Sequence, residues 1–213
     1  MKCLPLKLSA NPTGWKLFFK RNQDPKFAQF KKTILERDNY TCRYCGFCSD
    51  QLQEVVNING NYRDMRSDNL ATCCPVCTPC HFINVSGFGS LGSGKVIYFP
   101  SMTQNQTSAL CHVLLCAIHN STPIADKARN LYNQLEQKAN IVENSINKGF
   151  SNPARIGQSI IDCQIKDKDA LSTKLLKNLR LIPTLESYAK HVSLYSISAI
   201  EDSYKVIKQI GGG

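Results

Sequence analysis

Seven of the chain's 11 cysteines fall in two short knots, CRYCGFC at residues 42–48 and CCPVCTPCH at 73–81, with none in the stretch between. This pattern constrains the fold more than any other feature. A Cys-x-x-Cys turn aims two sulfurs at one ion while backbone amides offset their charge, and two such turns complete a tetrahedron. Cys42-x-x-Cys45 and Cys74-x-x-Cys77 are separated by 28 residues, a length that fits a strand pair and a loop brought back on itself. The expectation is one structural Zn²⁺ held by Cys42, Cys45, Cys74 and Cys77. Cys48 and Cys80 extend both knots, so the register stays open: Cys77 with Cys80 is the competing second pair, and a second ion on Cys48, Cys73, Cys80 or His81 is a further alternative. CTPCH at 77–81 also matches the attachment signature of c-type haem, but no export signal accompanies it; CPVC lacks the strand-to-helix context of a thioredoxin-like redox pair.

How thiols are read depends on compartment. No window approaches the run of about 20 apolar residues that a membrane-spanning helix needs, and the opening MKCLPLKLSANPTGWK has no apolar stretch of secretory length. A cytosolic protein is therefore expected, and in a reducing cytosol paired cysteines serve metals rather than disulfides. The net charge is +10, and residues 1–50 hold ten Lys and Arg against four acids. An acidic protein, nucleic acid or anionic lipid would each complement that excess.

Along the chain, NPTGWKLFF reads as a turn signal, and DPKFAQFKKTILERD as an amphipathic helix with Asp24 as N-cap and Phe27, Phe30 and Ile34 at helical spacing. VVNINGNYRDMRSDNL predicts a strand and then an irregular polar loop. The glycines before KVIYF lack the phosphate-loop pattern, since Val96 follows Lys95 and the segment precedes a strand. From Thr103 onward the periodicity predicts helices throughout: TQNQTSALCHVLLCAIHN, IADKARNLYNQLEQKANIVENSI, DALSTKLLKNLRLI and TLESYAKHVSLYSISAIEDSYKVIKQI. His112, His119 and His191 are isolated in sequence and read as packing residues; Cys111, Cys116 and Cys163 read as small hydrophobes.

The stretch ILERDNYTCRYCG followed by EVVNINGNYRDMRSDNLATCCPVC resembles the zinc-containing HNH endonuclease module over roughly residues 30–82. That resemblance implies a basic helix ending in an Arg-Asp pair, a β-hairpin carrying a catalytic His, and a loop Asn, here Asn69. In the family the hairpin His is the general base and a second His helps hold a catalytic ion. This chain has Asn57 at the first position and Thr78 at the second; in the shifted register His81 regains the second place, but Asn57 is still no base. Nuclease chemistry is expected to be absent, and the alternative reading is an HNH-type DNA nuclease or a nonspecific nucleic-acid-binding protein.

Over most of residues 1–190 the layout is similar to the IcmJ/DotN family of the type IVB (Dot/Icm) secretion system. LSANPTGWKLF, RDNYTCRYCGF, VNINGNYRDMRSDNL, CCPVCTPC, VIYFP, LCHVLLCAIHN and KLLKNLRLIP carry that similarity. It implies a zinc-bearing, HNH-like fold without nuclease activity, in a cytoplasmic subunit at the inner-membrane face. Such a subunit binds the C-terminal extension of the coupling ATPase DotL, contacts other coupling-complex subunits and helps gather effectors for export; nucleic acid is not expected as a partner. The expected architecture is α+β: basic N-terminal elements with an HNH/treble-clef-like zinc module over 1–100, a mainly helical region packed on it over 101–210, and a flexible tail at 211–213. The face of Trp15, Leu17, Phe18 and Phe19 is expected to offer docking surface.

Overall fold

The computed structural model describes residues 3–163 and 173–192. Helix α1 (Gly14–Asn22) forms where the sequence suggested only a turn. The turn residues instead organise its start: Asn11 Oδ1 accepts from the Gly14 amide at 2.7 Å, and Asn11 Nδ2 donates to the Gly60 carbonyl at 2.9 Å. Phe18 from α1 is buried, so it is no docking residue; Trp15 and Phe19 meet Phe88 at 5.3 and 5.9 Å, and Phe88 is 56% exposed.

Helix α2 (Pro25–Arg37) starts as expected, with Asp24 accepting from the Lys26 amide at 2.9 Å and Pro25 in the first turn. Its apolar stripe, Phe27, Ile34 and Leu35, packs with Val55 and Leu70 of the first sheet. Burying each such side chain stabilises the pairing by about 1.5–3 kcal/mol. That sheet joins β1 (Glu54–Asn57) to β2 (Leu70–Cys73), antiparallel, with Glu54 opposite Cys73 and Asn57 opposite Leu70. It closes the interval between the two cysteine knots.

The second sheet pairs β3 (Gly94–Tyr98) with β4 (Leu179–Pro183), antiparallel, with Val96 opposite Leu181. β4 corrects the helical reading of DALSTKLLKNLRLI: residues 173–176 are helical, 169–172 lie outside the described residues, and LRLIP is extended. The reason is non-local. Val96 and Ile97 offer a buried apolar ladder, and the Gln104 side chain both accepts from the Leu181 amide at 2.8 Å and donates to its carbonyl at 2.9 Å, holding the edge as a strand would.

Helix α3 (Gln104–His119) is the central element, opened by a reciprocal capping box between Thr103 and Gln106. The run after it divides into α4 (Ala125–Gln137) and α5 (Ala139–Ser145), broken at Lys138, whose carbonyl accepts from the Tyr98 amide of β3. Helix α6 (Pro153–Asp162) lies against the turn Ile83–Val85, and α7 (Leu185–Val192) packs on α3. The expected continuation of α7 and the 211–213 tail lie outside the described residues. One hydrophobic cluster runs from Leu6 through Cys42, Phe82, Ile97, Leu114 and Ile156 to Tyr188, so both halves of the chain share it. Among the described residues no helix is long and apolar enough to cross a membrane.

Candidate metal centre

The first knot is a tight turn in which the Cys42 amide donates to the Phe47 carbonyl at 2.8 Å and the Gly46 amide to the Cys42 carbonyl at 3.0 Å. Gly46 sits at φ +82°, where a side chain would be strained. In the second knot the amides of Cys77 and Thr78 both donate to the Cys74 carbonyl, and the Thr78 hydroxyl joins them at 3.0 Å. Thr78 is thus spent on shaping the knot. The knots are joined by the Arg43 amide, which donates to the Thr72 carbonyl at 2.9 Å. Asn105 ties the first knot and the N-terminal segment to α3, its Nδ2 donating to the carbonyls of Tyr44 and Leu4, each at 2.7 Å.

These contacts bring one sulfur from each of Cys42, Cys45, Cys74 and Cys77 within 4.8 Å of one another. Zinc–sulfur bonds of about 2.3 Å in a tetrahedron need sulfurs about 3.8 Å apart, so the spacing suits such an ion. Cys45 Sγ and Cys74 Sγ lie 3.5 Å apart. Cys42, Cys74 and Cys77 are buried and Cys45 partly so. Burial pushes the Cys74 and Cys77 thiols well above the ordinary range. Burial raises Cys42 as well, but hydrogen bonds from the neighbouring thiols outweigh it and draw that group well down, and Cys45 falls to about 6. Four thiolates packed this closely in a largely buried site would repel one another, and a divalent cation at their centre would reverse that penalty. The donor set therefore fits zinc.

Cys48 and Cys80 stand apart from the four, whereas the Cys73 thiol meets that of Cys42. Cys80 Sγ points to the Val76 carbonyl at 3.9 Å, and exposed Cys48 to the Asn39 carbonyl at 3.7 Å. Cys73 is buried beside the cluster, and the His81 ring packs on Tyr44 at 5.1 Å. Among the described residues no second group of this kind occurs.

The Arg-Asp pair at the end of α2 locks the centre to the hairpin. Asp38, 1% exposed, accepts from Arg37 at 2.9 Å, from Arg43 at 3.3 Å and from the Thr72 amide at 3.0 Å. Arg37 also donates to the Leu70 carbonyl at 2.8 Å. Burial works against the Asp38 carboxylate, but these hydrogen bonds prevail and hold its pKa below the usual carboxylate value.

Asn57 and Asn69 staple the loop between the knots. Asn57 Nδ2 donates to the carbonyls of Asn61 at 2.9 Å and Asp64 at 2.7 Å, while its Oδ1 accepts from Arg21. Asn69 Nδ2 donates to the Asp64 carbonyl at 3.0 Å, and its Oδ1 accepts from the Asn59 amide at 3.1 Å. Arg21 was not legible as a site residue. Its guanidinium, from α1, also donates to the Val55 carbonyl and lies 4.7 Å from the Phe27 ring centre and 4.8 Å from that of Tyr62. Burial lowers its pKa to about 10, against opposing attraction from Tyr62 and Glu54, so it stays cationic at neutral pH. The Arg21 cation and the hydrogen-bonded amides of Asn57 and Asn69 occupy this end of the hairpin.

His112, read from the sequence as an isolated packing residue, stands at the centre instead. It is buried on α3, with Nε2 3.1 Å from Cys74 Sγ. A lone His far from both knots carries no sequence signal for this contact; only the packing of α3 on the second knot creates it.

No protein-family model matches the chain. It is 39% identical over 197 residues, 92% of its own length and 92% of the relative's, to the type 4 apparatus protein DotN of Legionella pneumophila. Identity of that extent spans both cysteine knots, both sheets and the helical half, and so the chain belongs to the IcmJ/DotN family of the Dot/Icm type IV secretion system.

Proposed function

We propose that this protein is a non-enzymatic, zinc-stabilised adaptor subunit of a type IV secretion coupling complex, acting at the cytoplasmic face of the inner membrane. In this reading Cys42, Cys45, Cys74 and Cys77 hold one Zn²⁺, which ties α2, the β1–β2 hairpin and α3 into one body of HNH-like ancestry. The C-terminal extension of the coupling ATPase DotL is the partner, and effector recruitment is the purpose. The observation that carries the reading is the state of Asn57: its amide is saturated by Arg21, Asn61 and Asp64 where hydrolysis would need a free base. Similarity to a protein named as part of the type 4 apparatus supports the cellular setting.

The net charge of +10 supports an acidic partner segment, attracted through steering and therefore sensitive to salt. The half-buried Trp15 and Phe19, with exposed Phe88 and the neighbouring Lys16, supply aromatic anchors for such a segment. The test is elemental analysis of the purified chain, a plasmid-nicking assay with Mg²⁺ or Mn²⁺, and calorimetric titration with the coupling ATPase tail. One zinc per chain, no nicking and saturable binding are expected. Nicking abolished by Asn57→Ala or Asn69→Ala would replace the adaptor with a nuclease, and absence of tail binding would remove the proposed partner.

A further inference from the structure

The imidazole of His112 is held from three sides. Nε2 lies 3.1 Å from Cys74 Sγ, Nδ1 shares a hydrogen bond with the Tyr188 hydroxyl of α7, and the Phe47 ring, from the first knot, stacks on it at 4.1 Å with planes 10° apart. A histidine serving only as packing needs no such orientation. If Tyr188 donates its O–H to Nδ1, the ring proton must sit on Nε2, and Nε2–H then points at sulfur. Cys74 is wholly buried, so bulk solvent does not reach its sulfur. Four thiolates around Zn²⁺ leave two negative charges in a largely buried site, and a hydrogen bond to sulfur spreads part of that charge and resists ligand release.

We propose that His112 is a positioning residue of the metal centre, donating Nε2–H to the Cys74 thiolate with its tautomer set by Tyr188, so that metal retention depends on α3 and α7 being docked. The inference rests on the zinc reading above. His112 comes from α3 and Tyr188 from α7, both far along the chain from the ligands. The helical half thereby reports its docking to the centre, and loss of α7 contacts loosens the ion without breaking any zinc–sulfur bond.

The experiment uses the full chain loaded with zinc and follows metal transfer to a chromogenic chelator, with the cobalt-substituted protein read by its sulfur-to-metal absorption. His112→Phe keeps the ring stacked on Phe47 but removes the donor; His112→Gln returns an N–H; Tyr188→Phe removes only the hydroxyl. Zinc should leave His112→Phe about 10–100-fold faster than wild type, with a shifted cobalt–sulfur band, while His112→Gln recovers most of the retention and Tyr188→Phe is faster than wild type. If His112→Phe does not fold, Tyr188→Phe decides alone. Wild-type release rates in both His112→Phe and Tyr188→Phe overturn the proposal, and so does a His112→Gln variant as leaky as His112→Phe, which would make the effect one of packing. A wild-type chain that binds no zinc would instead sink the metal reading beneath it.

Discussion

At residue scale, Arg21 closes the end of the β1–β2 hairpin by donating to Asn57 Oδ1. Arg21→Ala leaves Asn57 Oδ1 and the Val55 carbonyl short of a donor and removes stacking on Phe27 and Tyr62. A loss of about 3 kcal/mol in urea unfolding is expected, with Arg21→Lys recovering only part, since an ammonium lacks the fork that reaches both oxygens. A variant as stable as wild type would show that the loop needs no cation. Asp38 gives a pH signature. Its folded-state pKa lies below the unfolded value of about 3.9, so its stabilisation is fully present above that pH and is lost as pH falls through the folded value. Asp38→Asn should be about 2–4 kcal/mol less stable at pH 7, and the gap to wild type, steady down to about pH 5, should close below about pH 4. A gap that widens with acid would reverse the assignment. Cys42→Ser should abolish zinc binding and folding of the knots together; a variant with native zinc content and stability would remove Cys42 from the ligand set.

At the scale of elements, close backbone approach decides what propensity does not. Gly157 stands inside α6, where alanine ordinarily stabilises a helix by about 1 kcal/mol. Here an added methyl would meet the Asn84 backbone at 2.5 Å, because α6 lies directly on the turn Ile83–Val85. Gly157→Ala should therefore lower the thermal midpoint, and a rise would mean that the turn yields freely. The same logic explains which elements the sequence disclosed. Helix α2 carries its own cap and stripe, and α3 its own capping box, so local chemistry announced both. For α1 the turn residues before the helix hold its first amide through Asn11, and the rest of the turn-like stretch is helical. β4 has good helix formers, Leu179 and Leu181, and becomes a strand only because β3 and the Gln104 amide receive it.

For the whole molecule, the cysteine cluster is a part of the main hydrophobic core rather than an appendage to it, since Cys42, Cys74 and Cys77 belong to the cluster that reaches Leu114, Ile182 and Tyr188. If the cluster holds zinc as proposed, chelation should unfold the helical half and both sheets in one transition, with far-ultraviolet dichroism and Trp15 fluorescence superimposing. Separate transitions would mean that α3 and its partners stand without the metal. The sequence by itself determined that two cysteine knots offer paired thiols to one ion, that an asparagine stands at position 57, and membership in its family, because spacing and residue identity are properties of the chain read in order; which four thiols meet was decided by the fold. Only the tertiary structure decided that Arg21 closes the hairpin, that β4 is a strand, and that His112 meets Cys74, since each depends on segments distant in sequence whose approach is set by the shared core.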